Sequence, residues 1–214
     1  MELFREVISV YMERKEWFLE LLFEHISLSV ISICLAGVIG LLVGIWIAEH
    51  EKMAPFVMTI TNVFYTIPSI SLLGMLIPFI GIGNKTAIVA LTIYGIMTMV
   101  RNTYTGIHEV DESIIQAARG MGSTDIQIML KIKLPLALGV IIAGIRNMVV
   151  MTISTTAIAS FIGAGGLGVA IYRGITIYNT ALTFGGSFLI ALLALVCDLL
   201  LGHLEKKKKK RGTF

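Results

Sequence analysis

EVDESIIQAARGMGSTDIQIMLKIKLP, residues 109 to 135, is the one long polar interruption in an otherwise membrane-like chain. Val110, Ile114, Ala117 or Ala118, and Met121 recur at helical spacing, which predicts a short helix over 109–121 with one apolar face. Gly120 and Gly122 then break it. Thr124 with Gln127 three positions on is a capping-box pattern, starting a second helix whose apolar residues are Ile126, Met129 and Leu130. Pro135 is expected to end that helix and hand the chain back to the membrane. Two short helices joined at a glycine elbow make a knob that can lie in a groove on another protein, with small alanines allowing close approach. The plainer alternative is an amphipathic loop resting on the lipid surface.

Gln116, Ala117 and Ala118, then Gly122 after three residues, then Ile132, Lys133, Leu134 and Pro135 after nine more, resemble a known signature. It is the EAA-x3-G-x9-I-x-L-P motif of the permease subunits of binding-protein-dependent ABC importers. Only the first position departs, since Gln116 replaces the usual Glu and offers the ATPase neutral hydrogen bonds where a carboxylate would offer charge-assisted ones. Phe161 to Gly168, FIGAGGLG, is also similar to a segment shared by importers of glycine betaine, carnitine, choline and some amino acids.

The resemblance covers about residues 20 to 202. It implies an osmoprotectant-type permease of MetI-like fold: an all-α integral membrane protein with about five transmembrane helices and a cytoplasmic helix-turn-helix coupling segment at 109–135. It implies ATPase contact through Gln116, Ala117, Ala118, Gly122, Ile132, Leu134 and Pro135. The implied partners are a second permease chain, identical or merely related, two ABC ATPase subunits that use ATP and Mg, and an extracytoplasmic solute-binding protein. An importer of methionine or another amino acid is the alternative within the same superfamily. A channel-forming or accessory membrane protein without ATP coupling is the alternative of another class.

The flanking sequence supports a membrane protein independently. Mean hydropathy of +0.88, 56% hydrophobic residues and only 14% charged ones leave no room for a soluble domain. Residues 1–21 read as a segment lying at the interface, with Val7, Tyr11, Trp17, Phe18 and Leu21 on a helix and glutamates where a signal peptide would be basic. Residues 22–203 form the transmembrane domain and 204–214 a basic cytoplasmic tail. Ile26 to Ala48, 23 residues without a charge, would span about 35 Å as a helix. The second span, about 56 to 80, contains Pro68 and Pro78 and should be kinked or broken, which lipid tolerates only where a neighbour or a watery cavity satisfies the freed backbone. A third runs from Thr86 past Arg101, whose side chain reaches toward the headgroups. The fourth, Leu136 to about Ser160, is interrupted by Arg146, and the fifth, Thr180 to Gly202, carries Asp198.

With the coupling segment inside, five spans put the N-terminus outside and the C-terminus in the cytoplasm. Eleven cations then lie inside against five outside, as the positive-inside rule demands. The six cations at 206–211 could hold nucleic acid, but directly after a span they fix topology and lie on anionic lipid, so no nucleic-acid partner is expected.

Chemistry within the chain is not indicated. Cys34 and Cys197 sit in apolar runs, the four histidines are scattered, and no nucleophile, metal spacing or Walker A motif is present, so neither enzyme activity nor a bound cofactor is expected. The G-x-G-x-x-G at Gly163, Gly165 and Gly168 has no βαβ unit around it. Candidates for the translocation path are Asn62, Tyr65 and Ser69 around the Pro68 break, Tyr94 in the third span, and Gly165 and Gly166 at the outer mouth. The rings could hold a quaternary ammonium by cation–π attraction, or simply pack. The glycines could equally form an external loop with no substrate contact. Arg146, roughly 15 Å from the cytoplasmic end, could attract a substrate carboxylate or pair with Asp198 or helix carbonyls.

Overall fold

The computed structural model describes residues 2–211, with the backbone alone at 204 and 206–211. Among these residues every regular element is a helix. In chain order they are α1 (Glu2–Glu13), α2 (Lys15–Glu49), α3 (Ala54–Thr66), α4 (Ser69–Ile80), α5 (Asn84–His108), α6 (Glu112–Gly120), α7 (Asp125–Ile128), α8 (Leu134–Ala159), α9 (Gly168–Thr176) and α10 (Thr180–Arg211). A π-turn at Met129–Lys133 joins α7 to α8, and a 3-10 turn, Ser160–Ile162, follows α8.

The first span begins earlier than its uncharged run. Glu16, Glu20 and Glu24 do not interrupt α2, because Phe18 and Leu21 on the opposite side are buried with Leu167, Ala170, Leu182 and Ile190 from the C-terminal third. Residues 15–21 are therefore continuous with the span helix, and residues 2–13 form the separate helix α1. It lies against α10, where Val7 is buried and the Tyr11 hydroxyl donates to the Gly185 carbonyl at 2.7 Å.

The second span is broken, with α3 and α4 meeting at 99°. Pro68 forces Ile67 into an extended conformation (ψ 124°) and supplies no N–H, so α3 stops there. The Tyr94 hydroxyl of α5 donates to the Ile67 carbonyl released by the break, which is how the membrane interior tolerates it. Pro78, by contrast, sits inside α4 without breaking it.

At the centre lies α5, packed most heavily on α2 and next on α8. Gly40 and Gly44 of α2, a small-xxx-small pair, let the two backbones approach closely. A Cβ at Gly44 would fall 2.5 Å from the Thr103 Cβ. Three helices are long and apolar enough to cross a bilayer, Lys15–Glu49, Asp125–Ile162 and Thr180–His203, and the bent α3–α4 pair brings the number to as many as four. The remaining expected span, the third, is α5, and it falls short on hydropathy. Its surroundings are largely protein, with Thr86, Thr92, Tyr94 and Thr103 buried along it, so it does not need a lipid-compatible surface all round.

The longest departure concerns Pro135. The helix does not end there but runs from Asp125 to Ile162. In the π-turn the Leu134 N–H bonds back to the Met129 carbonyl, five residues away, and Pro135 follows directly after this widened turn with the helix continuing through it. The basic tail expected on lipid, Lys206 to Arg211, has side chains outside the described residues.

Candidate functional site

Two features stand out, the knob at 109–135 and a polar cavity in the bundle. In the knob, Asp111 caps α6 by accepting from the Ser113 N–H at 2.8 Å, and hydrogen bonding from Ser113 holds the Asp111 carboxyl below its ordinary pKa. At the other end of α6 the Ser123 N–H reaches the Ala118 carbonyl (3.1 Å) and the Gly122 N–H reaches Arg119 (2.9 Å), with Gly122 at φ +84°. This is a Schellman stop, and the left-handed residue it needs is glycine. Thr124 and Gln127 then make the full capping box, at 3.0 and 3.3 Å. An exposed Arg119–Asp125 pair at 3.3 Å straddles the elbow and contributes little on its own.

Ile115, Ala118 and Ile128 form the core of the knob, with Val110 and Ile132 packed against it. The face of α6 is thus one residue out of phase with the expected one, since Ile114 and Met121 are exposed while Ile115 is buried. Met129 is likewise buried, and Leu134 packs into the core between α2, α5 and α8. Of the signature residues, Ala118 and Ile132 hold the two helices together, whereas Gln116, Ala117, Gly122 and Pro135 are exposed. Met121 (80% exposed), Ile126 (70%) and Leu130 (60%) add apolar surface there that no described residue covers. A cleft of about 730 Å³, lined by His50, Lys52, Arg119, Asp125 and Lys133 among others, separates the knob from the α2–α3 turn.

The second feature is a cavity of about 480 Å³ bounded by α3, α5, α8 and α10, with Thr61, Tyr65, Thr98, Arg101, Asn102, Asn147 and Asp198 among its lining residues. Tyr65 is the path candidate that lines it. Asn62 reaches it indirectly, its Oδ1 accepting from Arg101 Nη2. Ser69 and Tyr94 are not in the lining, Tyr94 being buried and committed to the Ile67 carbonyl.

Arg146 takes the Asp198 pairing open to it from the sequence, and Arg101 takes an unexpected part. Arg146 is bound to Asp198 through two hydrogen bonds, 2.5 and 2.7 Å, and to Glu205 at 3.2 Å, tying α8 to α10. Arg101, expected to reach toward the headgroups, instead turns to the cavity, its guanidinium 5.8 Å from the Tyr65 ring centroid. Thr98, Asn102 and Asn147 were missed in the sequence, although polar residues at membrane depth are themselves a signal.

Gly165 and Gly166 lie at the other end of the bundle. Their N–H groups donate to Asn84 Oδ1 and Glu24 Oε2, both at 2.9 Å, and the Gly83 N–H donates to the Ile162 carbonyl at 3.0 Å. The Gly-rich stretch thus pins α2, α5 and α8 to one another. Of the histidines, His25 is fully buried, with Nε2 on the Ile153 carbonyl at 3.0 Å and Nδ1 unpartnered. Among the described residues no group of His, Cys, Asp and Glu side chains could hold a metal.

Comparison with known proteins gives a consistent assignment. Over its full length the chain is 37% identical to the glycine betaine/carnitine/choline transport system permease protein OpuCD of Bacillus subtilis (strain 168), covering 96% of that protein. It is 40% identical, over 75% of its length, to 29% of the ergothioneine transport permease/ergothioneine binding protein EgtU of Helicobacter pylori (strain G27). An inward-facing structure of the MetNI methionine ABC transporter superposes with a TM-score of 0.84 at 27% identity, over 92% of this chain and 98% of that one. Residues 38–210 match the model of a transport family, not of an enzyme, and the chain belongs to that family, the binding-protein-dependent transport system inner membrane components.

Proposed function

We propose that this chain is the permease subunit of an ABC importer that carries a quaternary-amine osmoprotectant such as glycine betaine, carnitine or choline. The observation that carries the solute class is the full-length identity to a permease named for those three solutes. Ergothioneine, in the name of a second relative, is also a trimethylammonium compound. One chemistry runs through both names.

The knob supports the partner assignment. A rigid pair of short helices, capped at both starts and carrying exposed apolar side chains, has the form of a helix-in-groove ligand. The partner is an ABC ATPase that binds ATP and Mg; a second permease chain completes the pathway, and an extracytoplasmic binding protein delivers the solute. ATP-driven closure of the ATPase pair moves the knobs as rigid bodies, and the bundles rock to expose the cavity to the opposite side. The knob end of the bundle faces the cytoplasm, which puts the N-terminus outside and the C-terminus inside. Gln116, exposed on α6, meets the ATPase through neutral hydrogen bonds.

The test is uptake by proteoliposomes holding the permease with its ATPase and binding protein. ATP-dependent accumulation of labelled glycine betaine, carnitine or choline, with methionine excluded, is the expected result. Accumulation of methionine in place of all three would refute it.

A further inference from the structure

Two arginines lie in the body of the bundle, and only one has a carboxylate. Arg146 is neutralised by Asp198 and Glu205. Among the described residues no acid lies within salt-bridge distance of Arg101, whose partners are the Asn62 amide oxygen and the face of the Tyr65 ring. Arg101 is exposed in this chain and lines the polar cavity, so its guanidinium stands without a counter-ion where an anionic group could enter. The cavity, about 480 Å³, is within the roughly 300–1,000 Å³ range of small-molecule sites. Beside its polar groups it offers the apolar walls of Met97, Val150 and Met151.

Resting on the osmoprotectant reading above, we propose that Arg101 is the carboxylate-reading residue of this cavity, and that Tyr65 is the ring it yields to the trimethylammonium end of a zwitterion. In the structure Arg101 covers the ring with its own cation, so that the ring is not left bare. A zwitterion replaces each of Arg101's contacts in kind. Its carboxylate takes the guanidinium in an ion pair where Asn62 gave only an uncharged acceptor, and its trimethylammonium takes the ring face where the guanidinium lay. Methyl groups meet Met97, Val150 and Met151. The exchange adds one ion pair and little else, which suits a site that must release its cargo at each cycle. Choline has no carboxylate. It meets only the ring, and there it competes with Arg101.

The experiment is uptake of labelled glycine betaine and choline by proteoliposomes containing the complete importer, wild type against Arg101→Gln and Arg101→Lys. Arg101→Gln should lower glycine betaine uptake about 10- to 100-fold, the scale of a lost charge-assisted pair, and change choline uptake less than about threefold. Lys keeps the charge without the planar fork and should recover part of the loss. An equal fall for both solutes, or an unchanged ratio, overturns the assignment of Arg101 while leaving the osmoprotectant reading intact. Failure of the wild type to carry either solute overturns both. If glycine betaine alone is carried, an equal loss in Arg101→Gln and Arg101→Lys overturns the assignment and recovery in Lys supports it. Should Arg101→Gln fail to co-purify with the ATPase, Tyr65→Phe and Tyr65→Leu decide. Retained uptake with Phe and about a tenfold loss with Leu supports a cation on the ring, and identical behaviour of the two overturns it.

Discussion

Substituting Gly122 isolates the geometry of the knob from its surface. A Cβ added at Gly122 or at Gly120 would meet no heavy atom of this chain within 4 Å, so neither site is sterically closed. They differ in backbone conformation: Gly120 ends α6 with ordinary helical angles, and Gly122 has φ +84°. Alanine at 122 therefore costs the left-handed penalty, about 1–2 kcal/mol, which is a factor of roughly 5–30 in the population of the formed elbow. The reserve against that loss is small on the α6 side, because α6 has nine residues, too few to persist alone. Gly122→Ala should lower ATP-dependent uptake by about fivefold or more, and Gly122→Asn less, since Asn enters the left-handed region more readily. Gly120→Ala should be neutral or slightly stabilising, by up to about 1 kcal/mol. Glu at Ala117 or Gly122 should abolish uptake with insertion intact, because both positions are exposed where the ATPase is proposed to dock. The assay is uptake in proteoliposomes with ATPase co-purification as the measure of docking. Equal losses in Gly120→Ala and Gly122→Ala would refute the elbow argument, for then the partner would be sensing bare backbone and not chain direction.

Other perturbations test the bundle. Gly44→Ala puts a methyl 2.5 Å from the Thr103 Cβ and 3.1 Å from the Val100 carbonyl, so it should cost about 1–3 kcal/mol and lower the Tm of the purified complex, and an unchanged Tm would refute the close α2–α5 contact. Arg146→Met should lower the Tm by stranding Asp198, and adding Asp198→Leu should restore most of it; a double variant no more stable than the single would show that the pair does not join α8 to α10. Because hydrogen bonding from Ser113 lowers the folded pKa of Asp111, its cap contributes fully above the ordinary aspartate value of about 3.9 and is lost as pH falls through the lower folded value. Amide protection at 113–115, taken relative to the intrinsic exchange rate at each pH, should fall across that acid range in the wild type and be low at every pH in Asp111→Ala.

What the sequence disclosed depended on how local each device is. The caps and elbow of the knob involve residues at most six apart, and Thr124, Gln127 and Gly122 sit where their pattern puts them. Pro68 broke its helix as a proline should, but the Tyr94 hydroxyl that makes the break tolerable comes from 27 residues away and leaves no local trace. The Arg146–Asp198 pair was open in the sequence as one of several partners, but that Arg101 turns to the Tyr65 ring and the cavity depends on the packing of α3 on α5, which no local pattern records. The phase of α6 was misjudged because Ile114 and Ile115 are consecutive and only the position of Ile128 decides which one turns inward.

Pro135 is the case with mechanical meaning. A helix ending there would have left the knob hinged to the bundle, and a hinge absorbs motion. The π-turn instead keeps Asp125 to Ile162 in one rod, and that rod carries Ile128 in the core of the knob and Val150 and Met151 on the wall of the cavity. These lie 22 residues apart, about 33 Å along the axis. A tilt imposed on the knob therefore arrives at the cavity wall through continuous helix, with no loop between the surface proposed to meet the ATPase and the residues proposed to meet the solute.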